Sequence, residues 1–427
     1  MDISEHQKAK KAVTAGAIGS FVEFYDFAIY GYFATVISVN FFPSDSQIVS
    51  LLATFAAFAA AFLIRPLGAI IFGHYGDKVG RKSSLSMAVI LMGISTLVIG
   101  LVPTHEQIGV LAPVLLVIAR LLQGLSAGGE WGGSATFIVE YAPSDRRGMY
   151  GSWVQVSAFG GMLAGSAIGA LTGIVMSEEM LNNWGWRIPF LFGGVLGVVG
   201  LYLRSKIEDT PAFKEQKLKN DIKNSPVKSS LTEHWKESLT AVGFTVAWTV
   251  ATYMLLTYMP TFIVTTTNLS LTQALFTNSI GLAVLVLFVP IMGTLSDRIG
   301  RKPLLISFAI LTVLLTYPLF LLISTGNILF VLFGQILFGI ILAVFSGPGP
   351  TALVEMFPTK VRYTALGISY NVTVAIFGGT APFISTFLIS QTGNHSMPGF
   401  YLIITAIITL ITVSRMAETK NSPLREK

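Results

Sequence analysis

Five ionisable residues stand where an apolar chain should have none. Glu23, Asp26, Arg65, Arg120 and Glu130 each interrupt a long run rich in Val, Leu, Ile, Phe, Ala and Gly. An ionisable group at mid-bilayer costs at least ~2.5 kcal/mol on insertion scales, so it marks a pathway, a proton relay or a buried pair. Glu23, Asp26, Phe27 and Tyr30 are spaced i, i+3, i+4, i+7 and share one side of a helix. Two carboxylates this close repel unless one takes a proton or a cation sits nearby, the property a reversible proton carrier needs. Arg65 precedes Asp77 by 12 residues, about 18 Å of helix, and so reaches the depth of Glu23 and Asp26. It serves there as a structural ion-pair partner or as a direct contact for an anionic ligand. Arg120 and Glu130 lie ~15 Å apart along one helix and are rotated by ~80°, so they do not pair with each other.

The other polar groups within apolar runs are Gln123, Gln155, Tyr253, Tyr258, Tyr370 and Asn371. Singly, each is more often an interhelical hydrogen bond than a ligand contact. After residue 238 no charge stands at mid-membrane depth. If two halves line one site, the C-terminal wall offers hydroxyls, amides and rings, and charge recognition comes from the N-terminal wall.

These residues need apolar helices to hold them. The chain has 427 residues, 52 % of them hydrophobic and 12 % charged, with a mean hydropathy of +0.69. That is too little charge to clothe a water-soluble surface. Apolar runs fall at roughly 14–38, 51–73, 84–103, 111–138, 149–176, 188–206, 239–264, 273–292, 304–324, 328–353, 364–390 and 398–415. Each is long enough to cross a hydrocarbon core of about 30 Å as a helix, and barrel strands of ~10 alternating residues do not fit. The expected fold is an all-α membrane protein of twelve transmembrane helices.

With the N-terminus assigned to the cytoplasm, 25 of the 28 Lys and Arg residues fall on cytoplasmic segments. The positive-inside rule thus accounts for the net charge of +6 without a nucleic-acid partner. Both termini are expected in the cytoplasm. Residues 207–237, rich in Lys, Glu and Asn, read as a hydrophilic linker between an N-terminal half, 1–206, and a C-terminal half, 238–427. Glycines recur in the fourth and fifth spans, where small residues let helix backbones approach in lipid. Gly347-Pro348-Gly349-Pro350 predicts a kink or hinge in the tenth span.

Two motifs repeat half a chain apart. Gly73 to Lys82 and Gly293 to Lys302 both read Gly-x-x-x-Asp-(Lys/Arg)-(Val/Ile)-Gly-Arg-Lys, and Val139-Glu140-x-x-Pro143-x-x-x-Arg147 returns as Val354-Glu355-x-x-Pro358-x-x-x-Arg362. The chain is therefore two copies of one six-helix unit. Asp77, Arg81, Glu140, Arg146, Arg147, Asp297, Arg301, Glu355 and Arg362 cluster at the cytoplasmic turns and are read as gating residues. Asp77 is expected to pair with an arginine of the 146–147 loop, or to cap a helix N-terminus, when that side is closed. No cysteine is present, and no His-rich metal pattern, Gly-x-Ser-x-Gly elbow or phosphate-binding loop appears. Neither an enzyme nor a metal site is expected.

The paired Asp-(Lys/Arg)-x-Gly-Arg-Lys turns, and Ile118-Ala-Arg120-Leu-Leu-Gln123-Gly124-Leu-Ser-Ala-Gly128-Gly, resemble the signatures of the major facilitator superfamily. Glu23-Phe-Tyr-Asp26-Phe-x-x-Tyr30-Gly, Arg65-Pro-Leu-Gly68, Gln123-Gly-x-Ser-x-Gly-Gly-Glu130, Trp184-Gly-Trp-Arg187-Ile-Pro-Phe190 and Tyr370-Asn371 with Phe377-Gly-Gly-x-Ala-Pro382 resemble its metabolite:proton symporter branch. The resemblance implies two pseudo-symmetric six-helix bundles in the cell inner membrane, acting as a monomer. It implies proton-coupled import of a small carboxylate-bearing metabolite, with no cofactor beyond the proton gradient. Branch members carry proline and glycine betaine, α-ketoglutarate, citrate or shikimate. Osmosensing carriers of the branch can have a long coiled-coil tail, which is not expected in the 12 residues after Arg415.

The resulting expectation is alternating access around a central site. Glu23, Asp26, Glu130 and, by resemblance, Arg120 carry the proton. Arg65 or Arg120 takes the substrate carboxylate, and Phe24, Tyr30, Gln123, Gln155, Tyr253, Tyr370 and Asn371 line the rest. The uncharged C-terminal wall favours a zwitterion such as proline or betaine. A di- or tricarboxylate or shikimate-like substrate, and a non-transporting sensor on the same fold, are the alternatives.

Overall fold

The computed structural model describes residues 3–79, 81–205, 234–359, 361–420, 422 and 424. Twelve helical columns cross one another among them, because backbone amides in lipid have no partner but each other. In the first half they are α1 (Ile3–Tyr32, continued by Ala34–Phe41), α2 (Gln47–Leu63 and Arg65–Val79), α3 (Arg81–Leu101), α4 (Leu111–Ser126, Ala127–Gly129 and Glu130–Tyr141), α5 (Arg147–Val175) and α6 (Arg187–Ser205). In the second they are α7 (Trp235–Ala251, Thr252–Tyr258 and Met259–Thr266), α8 (Leu271–Ile299), α9 (Arg301–Ser324), α10 (Ile328–Ser346 and Gly349–Met356), α11 (Arg362–Thr373, Val374–Gly378 and Ala381–Thr392) and α12 (Met397–Arg415). Nine described columns are long and apolar enough to cross a membrane, and α6 with its bent approach from Glu178 makes a tenth.

The packing repeats as the motifs do. α3 lies along α6 as α9 lies along α12, and α1 packs on α5 as α7 packs on α11. The halves meet along α5 against α8 and, in the symmetry-related position, α2 against α11. The Gly-Pro-Gly-Pro run interrupts the helix as expected of a kink, since α10 breaks between Ser346 and Gly349. Three π-helical stretches are additions: Leu181–Gly185, Thr252–Tyr258 and Val374–Gly378. The last two interrupt α7 and α11 beside the interface, where a widened turn re-aims side chains.

The repeated motifs are not loops. α8 continues through Asp297 to Ile299, and only Gly300 separates it from α9; α2 likewise runs to Val79. Most of the expected linker, 207–233, lies outside the described residues, and Trp235 to Glu237 already belong to α7.

Gly300 has φ 106° and ψ 163°, a region that essentially only glycine enters. Gly300→Ala is expected to destabilise the protein by about 1–3 kcal/mol, read as a lower melting temperature of the purified protein in detergent. An unchanged melting temperature would show that the α8–α9 turn is not held in this conformation.

Candidate functional site

α1 and α2 bring Glu23 and Arg65 into an ion pair, with both side chains about 1 % exposed. Arg65 also donates to the Ala127 carbonyl of α4 (3.2 Å). Its guanidinium lies 5.4 Å from the ring centres of both Phe27 and Phe62. The opposing half contributes Tyr253 and Tyr370, which interact electrostatically with the pair. Tyr253 meets Phe62 edge-on at 4.9 Å. The interface site is thus one ion pair from the first half against hydroxyls and rings from the second. Among the described residues, the buried charges of the second half, Arg301, Glu355 and Arg362, all lie at the motif-bearing end.

Asp26 does not join this pair. It lies beside Thr96 of α3 and close to Gly193 of α6, where a Cβ would stand 2.9 Å from Asp26 Oδ1. The Thr96 hydroxyl donates to the Met92 carbonyl (3.0 Å) and accepts from Gln123 (2.7 Å), so neither buried oxygen of Asp26 has a hydrogen-bond partner. Arg120 is its electrostatic counterpart, without an ion-pair contact. Arg120 donates to Gln123 (2.7 Å) and is roofed by Tyr30 at 4.2 Å, Phe27 at 5.1 Å and Phe58 at 5.2 Å. Its Nε and Nη2 have no partner. The four residues expected on one face of α1 are thereby divided. Glu23 serves the interface between the halves, Asp26 serves the interior of the first bundle, and Phe27 and Tyr30 form the partition.

The other expected ligand contacts are mostly committed to neighbours. Gln155 accepts from Trp131 Nε1 (2.7 Å), and Asn371 donates across the halves to the Gly128 carbonyl (2.7 Å). Tyr30 donates to the Thr54 carbonyl (3.2 Å). Phe24 is buried within the hydrophobic core. Phe58, Phe62, Trp131 and Trp248 were not singled out by sequence reasoning. Only the place of Trp131 directly after Glu130 offered a signal.

At the motif-bearing end the halves are locked. Arg362 pairs with Glu140 (2.6 Å) across the interface, and Arg301 pairs with Asp297 (2.7 Å) and Glu355 (3.6 Å). Asp297 accepts from the backbone N–H groups of Gly148 (2.8 Å) and Met149 (2.9 Å), capping the N-terminus of α5 from the other half. Charge and dipole both favour a carboxylate there. Gly148 permits the approach, since a Cβ would stand 2.5 Å from the Gly293 carbonyl. Arg147 donates through its side chain to the Ser422 carbonyl (3.0 Å), and its own carbonyl accepts from Thr351 (2.9 Å). Arg146 takes no part: it is half exposed and its partner is the adjacent Asp145 (3.7 Å). The side chains of Asp77, Arg81 and Glu130 lie outside the described residues.

The segment after α12 crosses the same lock. Glu418 accepts from the N–H groups of Arg301 and Lys302 (2.9 Å each), and Thr419 donates to Glu355 (2.6 Å). Partial burial acts to raise the Glu418 carboxyl, but hydrogen bonds from the backbone of Arg301, Lys420, Lys302 and Thr419 outweigh it and hold the group below its ordinary value.

At the opposite end the halves also touch. Ser166 donates to the Leu275 carbonyl (3.0 Å) and accepts from Asn278 (3.2 Å), and Phe55 meets Tyr258 edge-on at 5.5 Å. The buried charged residues of the interface lie between these two sets of contacts.

Two quasi-equivalent bundles enclosing buried charges, with contacts at both ends, define a membrane transporter rather than an enzyme. The chain belongs to the Major Facilitator Superfamily, whose model matches residues 16–367 and again 278–427. It is 39 % identical over 433 residues to the glycine betaine/proline/ectoine/pipecolic acid transporter OusA of Dickeya dadantii, covering 99 % of this chain and 86 % of the relative. It is 38 % identical, with the same coverage, to the proline/betaine transporter of Escherichia coli K12. Among solved structures, the proton:xylose symporter XylE superposes with a TM-score of 0.79 at 18 % identity, over 99 % of this chain and 98 % of that one. That likeness is one of fold.

Two outcomes follow from the lock. Thr136→Cys, one turn inside Glu140 in a chain with no other cysteine, is expected to react slowly with a thiol reagent and several-fold faster when Asp297→Ala is added. An equal rate would show that the Asp297 cap does not hold the halves together. The lowered Glu418 carboxyl makes attachment of the terminal segment complete above the ordinary glutamate range and lost as pH falls through and below it. Tryptic cutting after Lys420 at neutral pH, where the carboxylate is ionised, is expected to be slow in the native protein and fast in Glu418→Ala, scored by mass. Equal protection in both would contradict the attachment.

Proposed function

We propose that this protein is a proton-coupled symporter that imports a small zwitterion of the proline or glycine betaine kind by alternating access. The observation that carries the reading is the division of buried charge into two places. Glu23 and Arg65 face an uncharged aromatic wall at the interface, while Asp26 and Arg120 lie behind the Phe27, Tyr30 and Phe58 partition. The relatives, named as proline and betaine transporters, support the same substrate class.

The chemistry follows from charge balance in a low dielectric. Arg65 is matched by Glu23 before any ligand arrives, so a ligand that brings one carboxylate and one cationic nitrogen exchanges partners without adding net charge. A tricarboxylate would add three negative charges at a site whose guanidinium, that of Arg65, is already matched by Glu23. Asp26 lies beside the Thr96 hydroxyl, which donates to the Met92 carbonyl, so its charge must be balanced by Arg120 or removed by a proton. It is therefore the coupling group, with Arg120 as the cation that exchanges with the proton. Glu130 is kept as a candidate relay member on its place in α4.

The lock at Glu140–Arg362 and Asp297–Gly148 marks the cytoplasmic side, where both termini lie, and its breakage opens the site inward. The halves 1–206 and 238–427 are the moving bodies, joined by 207–237. The protein acts as a monomer in the inner membrane, with the proton gradient as its only cofactor.

Uptake of labelled proline or betaine into proteoliposomes is expected to rise with an inward proton gradient and to stop on addition of an uncoupler. Asp26→Asn is expected to fold, bind substrate and fail to accumulate it. Wild-type accumulation by that variant would remove Asp26 from the relay, and uptake indifferent to the uncoupler would replace symport with facilitated diffusion.

A further inference from the structure

Trp131 of α4 and Tyr370 of α11 stack face to face across the two halves, with centroids 3.8 Å apart and ring planes 16° from parallel. This is the arrangement aromatic pairs favour least, because both ring faces carry negative charge density; offset or edge-on pairs at about 4.5–7 Å are the preferred ones. A third ring, Trp248 of α7, meets Trp131 edge-on at 5.7 Å and Tyr370 at 6.2 Å. All three are nearly fully buried. The indoles are fixed in orientation, Trp131 by its bond to Gln155 and Trp248 by its bond to Ser346 (2.9 Å). Ser346 is the last residue before the break in α10.

We propose that Trp131 and Tyr370 are the jaws of a clamp for the alkylated ammonium of the substrate, seen here closed on each other, with Trp248 forming its third wall. The inference rests on the zwitterion reading above and locates the cationic end of that ligand. The placement fits the carboxylate end as well. Arg65 donates to the carbonyl of Ala127, four residues before Trp131, and Tyr370 interacts electrostatically with Arg65, so the guanidinium and the clamp are neighbours.

A cation held between two ring faces needs its centre within about 6 Å of each. At 3.8 Å the rings leave no room for it and must part, and because one ring belongs to each half, separation of the halves would part them. The Asn371 to Gly128 bond, beside the jaws, is the polar contact that must break with them. On this reading Gln155 positions a binding ring and does not touch the ligand.

The test compares glycine betaine with 3,3-dimethylbutyrate, which has the same shape and carboxylate but a neutral carbon in place of nitrogen. In thermal-shift titrations of the purified protein, betaine is expected to act at about a tenth of the concentration its isostere needs, a ratio within the range of cation–π energies. Trp131→Leu is expected to remove most of the difference, leaving only what the Glu23 carboxylate contributes, and Trp131→Phe to keep most of it. Equal potency in the wild type, or no stabilisation by either ligand, overturns the clamp. If Trp131→Leu does not fold, Tyr370→Leu, which removes the opposite jaw, is read in its place, and a preference unchanged from the wild type overturns the clamp. Proteoliposome uptake is scored separately: betaine binding with the expected preference but without transport would overturn the symport reading and leave the clamp standing.

Discussion

The ion pair between Glu23 and Arg65 is the interaction on which the rest of the structure depends. Both side chains are removed from water and lipid headgroups alike, and breaking such a pair by removing one partner costs about 3–5 kcal/mol. The fold around it is arranged to avoid that cost. Phe27 and Phe62 cover the guanidinium, the Ala127 carbonyl accepts one of its protons, and the facing half supplies tyrosines and no charge. A site with this balance discriminates by charge pattern: a ligand that reproduces the pair's own two charges can enter it without leaving either residue unmatched.

The second consequence is separation. Asp26 and Arg120 lie on the far side of a ring partition, joined to the interface through Phe27 and to α3 through Gln123 and Thr96. A proton at Asp26 alters the field on Arg120, and Arg120 rests on the same Phe27 ring that covers Arg65. This provides a short mechanical and electrostatic route between the two places, and both belong to one rigid half. The lock at the other level works differently. There, carboxylates reach across the halves to the N-terminus of α5 and to Arg362.

Much of this was legible in the sequence for physical reasons. Helices in lipid announce themselves by length and apolarity, and Glu23 and Arg65 by the cost of placing charge among them. The repeated Asp297 and Glu355 motifs gave the two-fold arrangement and the lock. What was not legible was angular. Positions 23 and 26 differ by only about 60° around a helix, yet that turn carries Asp26 from the interface to the bundle interior, and no spacing rule says where the neighbouring helices stand. Nor could charge reveal that α8 remains helical through Asp297, because the end is set by the backbone at Gly300. Trp131 and Trp248 were hidden for the opposite reason: a tryptophan in an apolar run carries no mark that distinguishes a ligand face from packing.

The separation of binding from coupling is the central claim, and proton release or uptake on substrate binding tests it most directly. Purified protein in weak buffer with a pH indicator, mixed with saturating betaine or proline, should take up protons in the wild type and in Glu23→Gln at raised substrate concentration, and none in Asp26→Asn. Proton uptake that persists in Asp26→Asn and vanishes in Glu23→Gln would contradict the account, since it would place the proton on the residue assigned to the substrate's site.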